Sequence, residues 1–350
     1  MFEELFGNRL KSARIMAGLS LEDLAASIGR KVTKQALQNY EKGLRKPDST
    51  TLIALSRALN VKTDYFFRRI DAPVNEFEFR KKSKLTVKEE KSIKEIAKDY
   101  LERYLELECL LGMDKKFVNP LKDIKIKSLA DAEAAAVKLR EEWKLGLDSM
   151  PNLIETLEDN ELKVYEADAP ETFDGLAART EDYSLIVVNK NIQDLTRKRF
   201  TAAHELAHIL LNIESGDAKE KERLCHSFSG ALLLPKEVLF REFGQKRNYF
   251  RLDELCAIKE EYGISLQAII RRAYELEIIT ASKYKEVCIK FSKHGWTKNE
   301  PGKYAGEENP KRFKKLLSRA LAEGIITISK AAVLANVGID KFDLEHNPIL

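Results

Sequence analysis

Histidine is scarce in this chain, with five among 350 residues, and tryptophan scarcer still, with two. Cysteine is also rare. Cys109, Cys225, Cys256 and Cys288 stand apart with no C-x-x-C spacing, which excludes a disulfide framework and fits reduced thiols in a cytoplasm. No stretch of about eighteen apolar residues occurs, so nothing is expected to span a membrane. The opening MFEELFGNRL has no basic segment followed by an apolar core, so no signal peptide is expected. A balance of 44% hydrophobic and 33% charged residues excludes a disordered chain. The length suits two or three domains.

Net charge is small, at +4, but unevenly placed. Residues 1–70 hold thirteen Lys and Arg against seven Asp and Glu, an excess of six, so the rest of the chain is slightly acidic. A basic excess confined to one end suggests a nucleic-acid partner for that end.

Two of the five histidines stand four residues apart. Thr201 to Asn212 reads TAAHELAHILLN, with Glu205 following His204 and preceding His208. In a helix, positions i and i+4 share a face, so both imidazoles reach one metal ion. Glu205 then lies beside the metal, where it can take a proton from water. With so few histidines, a chance match would be rare; the bland alternative is a core helix whose histidines satisfy backbone groups. Catalytic zinc usually takes three protein ligands. ESGDAKEKERLCHSFSGALLLP supplies the third candidate, Glu222, which shares a helical face with Cys225, His226 and Ser229. Asp217 and Glu220 are rivals in the preceding loop. His226 is expected either to orient a ligand or stabilise an oxyanion, or to be an ordinary half-buried histidine. Cys225 reads as a small buried side chain rather than a ligand.

Toward the N-terminus, residues 5–70 read as five short helices. Ser20 caps LEDLAASI, Thr33 caps KQALQNYEKG, and Gly18, Gly29 and Gly43 close helices. On the third helix Leu37 and Tyr40 face inward, while Lys34, Gln35, Gln38 and Asn39 face outward. Gln and Asn can make paired hydrogen bonds to adenine edges in a major groove. Lys42, Arg45 and Lys46 sit where phosphates would run. LEDLAASIG, TKQALQNYEKGLRKP and TLIALSRALNVKTDYFF resemble the Cro/repressor-type, or XRE, helix-turn-helix family. The turn RKV between Gly29 and Thr33 is longer than that family usually has.

Between these two motifs, FEF near residue 77 suggests a short strand. Ile93, Ile96, Ala97, Tyr100, Leu101, Tyr104, Leu107 and Leu111 recur at helical spacing, either as a dimer seam or as a face that packs on the next domain. LKVYEAD and SLIVVN read as strands before the histidine helix. After GISLQAIIRRAYELEII, the tail reads as helices, and ITISKAAVLANVGIDKF only faintly echoes a second helix-turn-helix.

RKRFTAAHELAHILL and ERLCHSFSGALLLP resemble the ImmA/IrrE family of metallopeptidases. The resemblance implies that His204, His208 and Glu222 bind Zn2+ and that Glu205 is the general base. It departs at Asn212, where many members have histidine, and at Cys225-His226, where Ala-Asn is commoner. It further implies cleavage of a regulatory protein, and links to phage, mobile elements, stress response and toxin–antitoxin loci.

The expected fold is mainly α with a small β-sheet (α+β): a five-helix DNA-binding domain at 1–70, a helical linker or dimerisation region at 71–150, a zincin-like metallopeptidase domain at 151–280 and a helical region at 281–350. The expected partners are operator DNA, bound as a homodimer, and a protein substrate of repressor or antitoxin type, or the chain itself, with no membrane. The alternative is a non-proteolytic repressor or antitoxin whose zinc site is structural or sensory.

Overall fold

A computed structural model describes residues 2–68, 78–80, 85–180 and 182–345. The chain forms two compact units: Met1–Glu76 with Lys84–Lys115 and Lys311–Leu350, and Phe77–Ser83 with Lys116–Pro310. The segments expected at 71–150 and 281–350 are therefore each shared between the two. The class is α+β, mostly helical with small sheets, as the mixed periodicities indicate.

The first unit starts with α1 (Phe2–Met16), α2 (Leu21–Ser27), α3 (Lys34–Glu41) and α4 (Ser49–Ala58). The expected fifth helix is a 3-10 turn, Thr63–Phe67, which no side chain caps and which drives Tyr65 and Phe66 into the core. Ser20 and Asp23 form a capping box on α2, and Thr33 caps α3. The long turn between them takes two successive left-handed residues, Gly29 and Arg30, and buries Val32. Leu10, Leu24, Leu37 and Leu55 make the centre of this core.

Next in this unit, α5 (Val87–Leu110) carries the helical apolar stripe, and Ile93, Ala97, Tyr100, Leu101, Tyr104 and Leu107 are buried within the single chain. The stripe packs inside the first unit, on α1 and on the helices after Lys311, rather than on the following domain. Helix α5 lies on α1, with Ser92 donating to the Met16 carbonyl at 2.6 Å, Arg9 paired to Glu102 at 2.6 Å, and Arg68 bridging Asp99 and Glu102.

The chain's far end returns to α5. Phe313 packs tilted against Tyr100 and Tyr104, at 5.4 and 5.3 Å between ring centroids, and Arg312 reaches the buried Glu108 at 3.2 Å. The faint second helix-turn-helix is a packing element, with Ala331, Ala332 and Leu334 buried.

The second unit holds a four-stranded sheet and the helices that cover it. Its strands are β1 (Glu78–Arg80), β3 (Lys163–Ala167), β4 (Gly175–Arg179) and β5 (Ser184–Asn189), in the order β1-β4-β5-β3. Within this sheet β3 and β5 pair in parallel, while β1–β4 and β4–β5 are antiparallel. SLIVVN is an interior strand, buried at every residue, so it offers no edge to a ligand. A two-residue ladder joins β2 (Lys125–Ile126) to β6 (Asn212–Ile213), which places Asn212 in a strand.

Against the sheet lie α7 (Leu153–Asp159) and α8 (Leu195–Leu210); α9 (Ala218–Leu233) packs on α8, and α6 (Leu129–Glu142) on α9. Then come α10 (Lys236–Phe243), α11 (Leu252–Tyr262), α12 (Leu266–Glu275) and α13 (Ala281–Lys293). After α13 an irregular stretch is tied down by two carboxylates. Glu300 accepts the Leu266 and Gln267 N–H groups at the start of α12. Glu308, fully buried, accepts those of Leu153 and Ile154 at the start of α7, at 3.0 and 2.9 Å. Orphan donors at a helix start need such acceptors.

Candidate metal centre and nucleic-acid interface

Helix α8 carries the histidine pair, and its register is fixed from its first two turns. Asp194 caps it. Lys198 pairs with Glu166 on β3, and Arg199, entirely buried, bonds to Glu308, to the Met150 carbonyl at 2.9 Å and to the Gly263 carbonyl at 3.1 Å. Ala202, Ala203, Leu206, Ala207 and Leu210 bury the helix's inner surface. The segment QDLTRKRF, read from sequence as an approach, is thus largely the beginning of the helix itself.

The four-residue spacing brings the His204 and His208 Nε2 atoms to 3.1 Å from each other. Helix α9 crosses beside them and presents Glu222, whose Oε2 lies 3.2 Å from His204 Nε2 and whose Oε1 lies 3.6 Å from His208 Nε2. A four-coordinate zinc with ligands at about 2.0–2.2 Å keeps its donor atoms about 3.4 Å apart. The three separations bracket that value, and two imidazoles with one carboxylate are a usual donor set for the ion. The residues fit a bound metal.

The rivals are engaged elsewhere: Asp217 caps α9, accepting from the Lys219 N–H, and Glu220 pairs with Arg223 at 3.3 Å. His226 lies at the exposed mouth, its ring 4.4 Å from that of His204 and stacked near Phe200 at 5.7 Å. Nitrogen or oxygen atoms of His204, Glu222 and His226 come within 4.8 Å of one another. The triad of His204, His208 and Glu222 is tighter, so His226 is better placed to meet a ligand than to hold the ion.

Behind the ligands, Cys225 is fully buried and its Sγ lies 3.5 Å from His208 Nδ1. That thiol takes the place where a metal-binding histidine commonly meets a carboxylate or carbonyl. Its signal was present in the sequence, as residue i+3 from Glu222 on the same face. His204 Nδ1 is buried and has no hydrogen-bond partner among the described residues, so packing against the His208 and His226 rings holds this ring.

Glu205 is 7% exposed and backs onto Gly175, the first residue of β4. A Cβ on Gly175 would stand 2.8 Å from the Val187 carbonyl oxygen, 2.8 Å from the Thr201 methyl and 3.2 Å from Glu205 Cγ. Absence of a side chain there allows the helix and strand to approach. The outer edge of β4 is paired antiparallel with β1, Arg80 opposite Ala177.

In the first unit, Lys34, Gln35, Lys42, Arg45 and Lys46 are exposed, Gln38 and Asn39 are half-buried, and Leu37 is buried. The end of α3 is held against α1: Arg14 grips Glu41 through two bonds, at 2.6 and 3.0 Å. Gly7 lets the Tyr40 and Glu41 carbonyls approach to 2.6 Å from where a Cβ would be. The outward polar row therefore sits on a firmly placed helix.

The fold and site thus join a helix-turn-helix head to a zincin-like domain of the HExxH kind. Residues 10–66 match the helix-turn-helix family, and residues 159–274 match the IrrE N-terminal-like domain family. The chain is a fusion of an XRE-type helix-turn-helix with an ImmA/IrrE-like peptidase-family domain.

Among similar proteins, an uncharacterised HTH-type transcriptional regulator of Sinorhizobium medicae is 40% identical over 67 residues, 19% of this chain and 45% of that protein. The HTH-type transcriptional regulator ImmR of Bacillus subtilis is 42% identical over 59 residues, 17% of this chain and 45% of its own. The SPbeta prophage-derived regulator YonR of Bacillus subtilis is 39% identical over 64 residues, 18% of this chain and 57% of its own. The chain spans about half the length of these relatives. Among the described residues, no helix is long and apolar enough to cross a membrane.

Proposed function

We propose that the chain is a transcriptional regulator whose ImmA/IrrE-like domain is a zinc-dependent endopeptidase acting in the cytoplasm. The observation that carries this is the convergence of His204 Nε2, His208 Nε2 and the Glu222 carboxylate, with Glu205 on the same helix. A purely structural site has no use for a base at that position.

When bound, zinc supplies a Lewis acid that polarises a carbonyl and makes water more acidic. Glu205 takes the proton of the attacking water and returns it to the leaving nitrogen. Packing against Gly175 holds its carboxylate stem in place. His226, at the mouth, donates a hydrogen bond to the oxyanion that forms on the substrate carbonyl.

In the head, Gln35, Gln38 and Asn39 read base edges, while Lys34, Lys42, Arg45 and Lys46 meet phosphates. The protein binds operator DNA as a homodimer, since operator symmetry mirrors protein symmetry. Its substrate is a repressor or antitoxin-type protein, or the chain itself. Similarity to HTH-type regulators, one of them prophage-derived, supports that setting.

The test is to incubate zinc-loaded protein with itself and with the products of neighbouring genes, beside a Glu205→Gln sample. Fragments that form only with the intact glutamate support the peptidase and name its target. If neither sample cuts while both bind zinc and the local promoter, the site is structural or sensory in a regulator or antitoxin.

A further inference from the structure

The second unit contains a cavity of about 530 Å³ lined by Glu222 and His226 of the candidate metal centre and by Phe200. Its lining has four cationic side chains against two carboxylates, Glu222 and Glu275. Lys219 and Arg223 on α9 and Arg271 and Arg272 on α12 all line it.

Arg272 is committed elsewhere, to Glu133 through two buried bonds at 2.9 and 3.0 Å. The others are available in different degrees. Among the described residues Lys219 makes no ion pair, and the partner of Arg223 is Glu220, a solvent-exposed pair of a kind that contributes little. Arg271 is the built element. Its guanidinium lies 5.7 Å from the Tyr274 ring and 5.8 Å from the Tyr284 ring, and these two rings stack on each other at 4.8 Å. Glu275 accepts from its Nε at 2.7 Å. A guanidinium has five N–H donors in a rigid fork, so several remain for a ligand. A pre-oriented fork loses little freedom on meeting a carboxylate and can hold it bidentately. Of the two carboxylates lining the cavity, Glu222 faces the histidines and Glu275 is held by Arg271.

We propose that this cavity is a specificity subsite for a carboxylate of the substrate, held by Arg271 with help from Lys219 and Arg223. The proposal rests on the peptidase reading and deepens it. A group lodged there lies next to Glu222 and His226, hence within a residue or two of the bond that Glu205 helps to break. The carboxylate belongs either to an Asp or Glu side chain or to a chain terminus, and the two are separable.

Degenerate decapeptide libraries, one amidated at the C-terminus and one free, are digested by zinc-loaded protein, and products also formed by Glu205→Gln are subtracted. The expected profile of the amidated library has Asp and Glu enriched at one position within two residues of the cut. Arg271→Glu should lower that enrichment by about tenfold or more, the worth of one charge-assisted hydrogen bond, and favour Lys or Arg at the same position. Lys219→Glu, an exposed change that leaves packing alone, should weaken it in the same direction. Enrichment confined to the free library assigns the cavity to a terminal carboxylate. A profile indifferent to acidic residues, or one unchanged by both substitutions, overturns the subsite and leaves the peptidase standing.

If no library is cut, retention of the same libraries on immobilised Glu205→Gln protein decides the cavity separately from the peptidase reading, which the protein-substrate test decides. Retention of acidic peptides that is lost with Arg271→Glu supports a carboxylate site. Equal retention of acidic and neutral peptides refutes it.

Discussion

Gly175→Ala is the sharpest probe of how the sheet positions the candidate base. The new Cβ would stand 2.8 Å from the Val187 carbonyl oxygen and 3.2 Å from Glu205 Cγ. An ordinary contact begins at 3.4 Å, so β4 must part by about 0.6 Å from the Thr201 methyl on α8 and by as much from the Val187 carbonyl on β5. Overpacking of this kind costs about 1–3 kcal/mol, which in a unit of this size lowers Tm by roughly 2–12 °C.

Glu205 moves with the helix face. A misplacement near 1 Å costs about a hundredfold in rate, so cleavage should fall by about tenfold, beyond anything the loss of stability explains at temperatures where the protein stays folded. Zinc content should not change, because the three atoms nearest the added methyl belong to Thr201, Val187 and Glu205 rather than to His204, His208 or Glu222. Thermal melting, metal analysis and cleavage of the identified substrate read the three effects separately. Gly216→Ala, where an added Cβ meets nothing within 4 Å, is the control. A Gly175→Ala protein that melts and cuts like the unaltered chain would refute the close approach as the device that sets Glu205.

Three further outcomes follow from the same structure. Glu308→Ala strips Arg199 of its carboxylate inside the protein and uncaps α7; breaking a buried pair costs about 3–5 kcal/mol, so thermal melting should show a loss of roughly 6–20 °C. Asn39→Ala should weaken operator binding by about 1–3 kcal/mol and relax the sequence preference at one base pair, whereas Lys46→Ala should weaken all duplexes alike and reduce the slope of log K against log salt by about one; gel-shift titrations at several salt concentrations separate the two. Prolines at Glu78, Phe79 and Arg80 remove backbone donors from β1 and so free the β4 edge, which is suited to holding an extended substrate; cleavage should then accelerate, and an unchanged rate would show that β1 does not compete for that edge.

Much of this architecture could be read from residue patterns because each carried its own local signal. The capped helices around Ser20 and Thr33, and the i, i+4 histidines, need no tertiary information. Strand β4 was missed because GLAAR has no β-branched or aromatic residue; only its neighbours make it a strand. Its first residue, Gly175, reads as turn punctuation, yet its function is steric and depends on a helix that passes over it.

Long-range pairing was equally hidden. Nothing near Arg199 in the sequence announces that Glu308, more than a hundred positions later, neutralises it. Likewise, Phe313 gives no sign that its site lies on α5. Glu222 was accessible by helical-face reasoning, but the role of Cys225 behind His208 emerged only when α8 and α9 crossed.

The most direct measurement for the metal centre is X-ray absorption at the zinc edge of protein loaded with one equivalent. The geometry predicts a shell of four nitrogen and oxygen neighbours at about 2.0–2.1 Å, with the outer-shell pattern of two imidazoles. It also predicts no sulfur, since Cys225 lies behind His208 rather than among the ligands. Sulfur scattering near 2.3 Å, or a protein that takes up no stoichiometric zinc, would contradict the assignment of His204, His208 and Glu222.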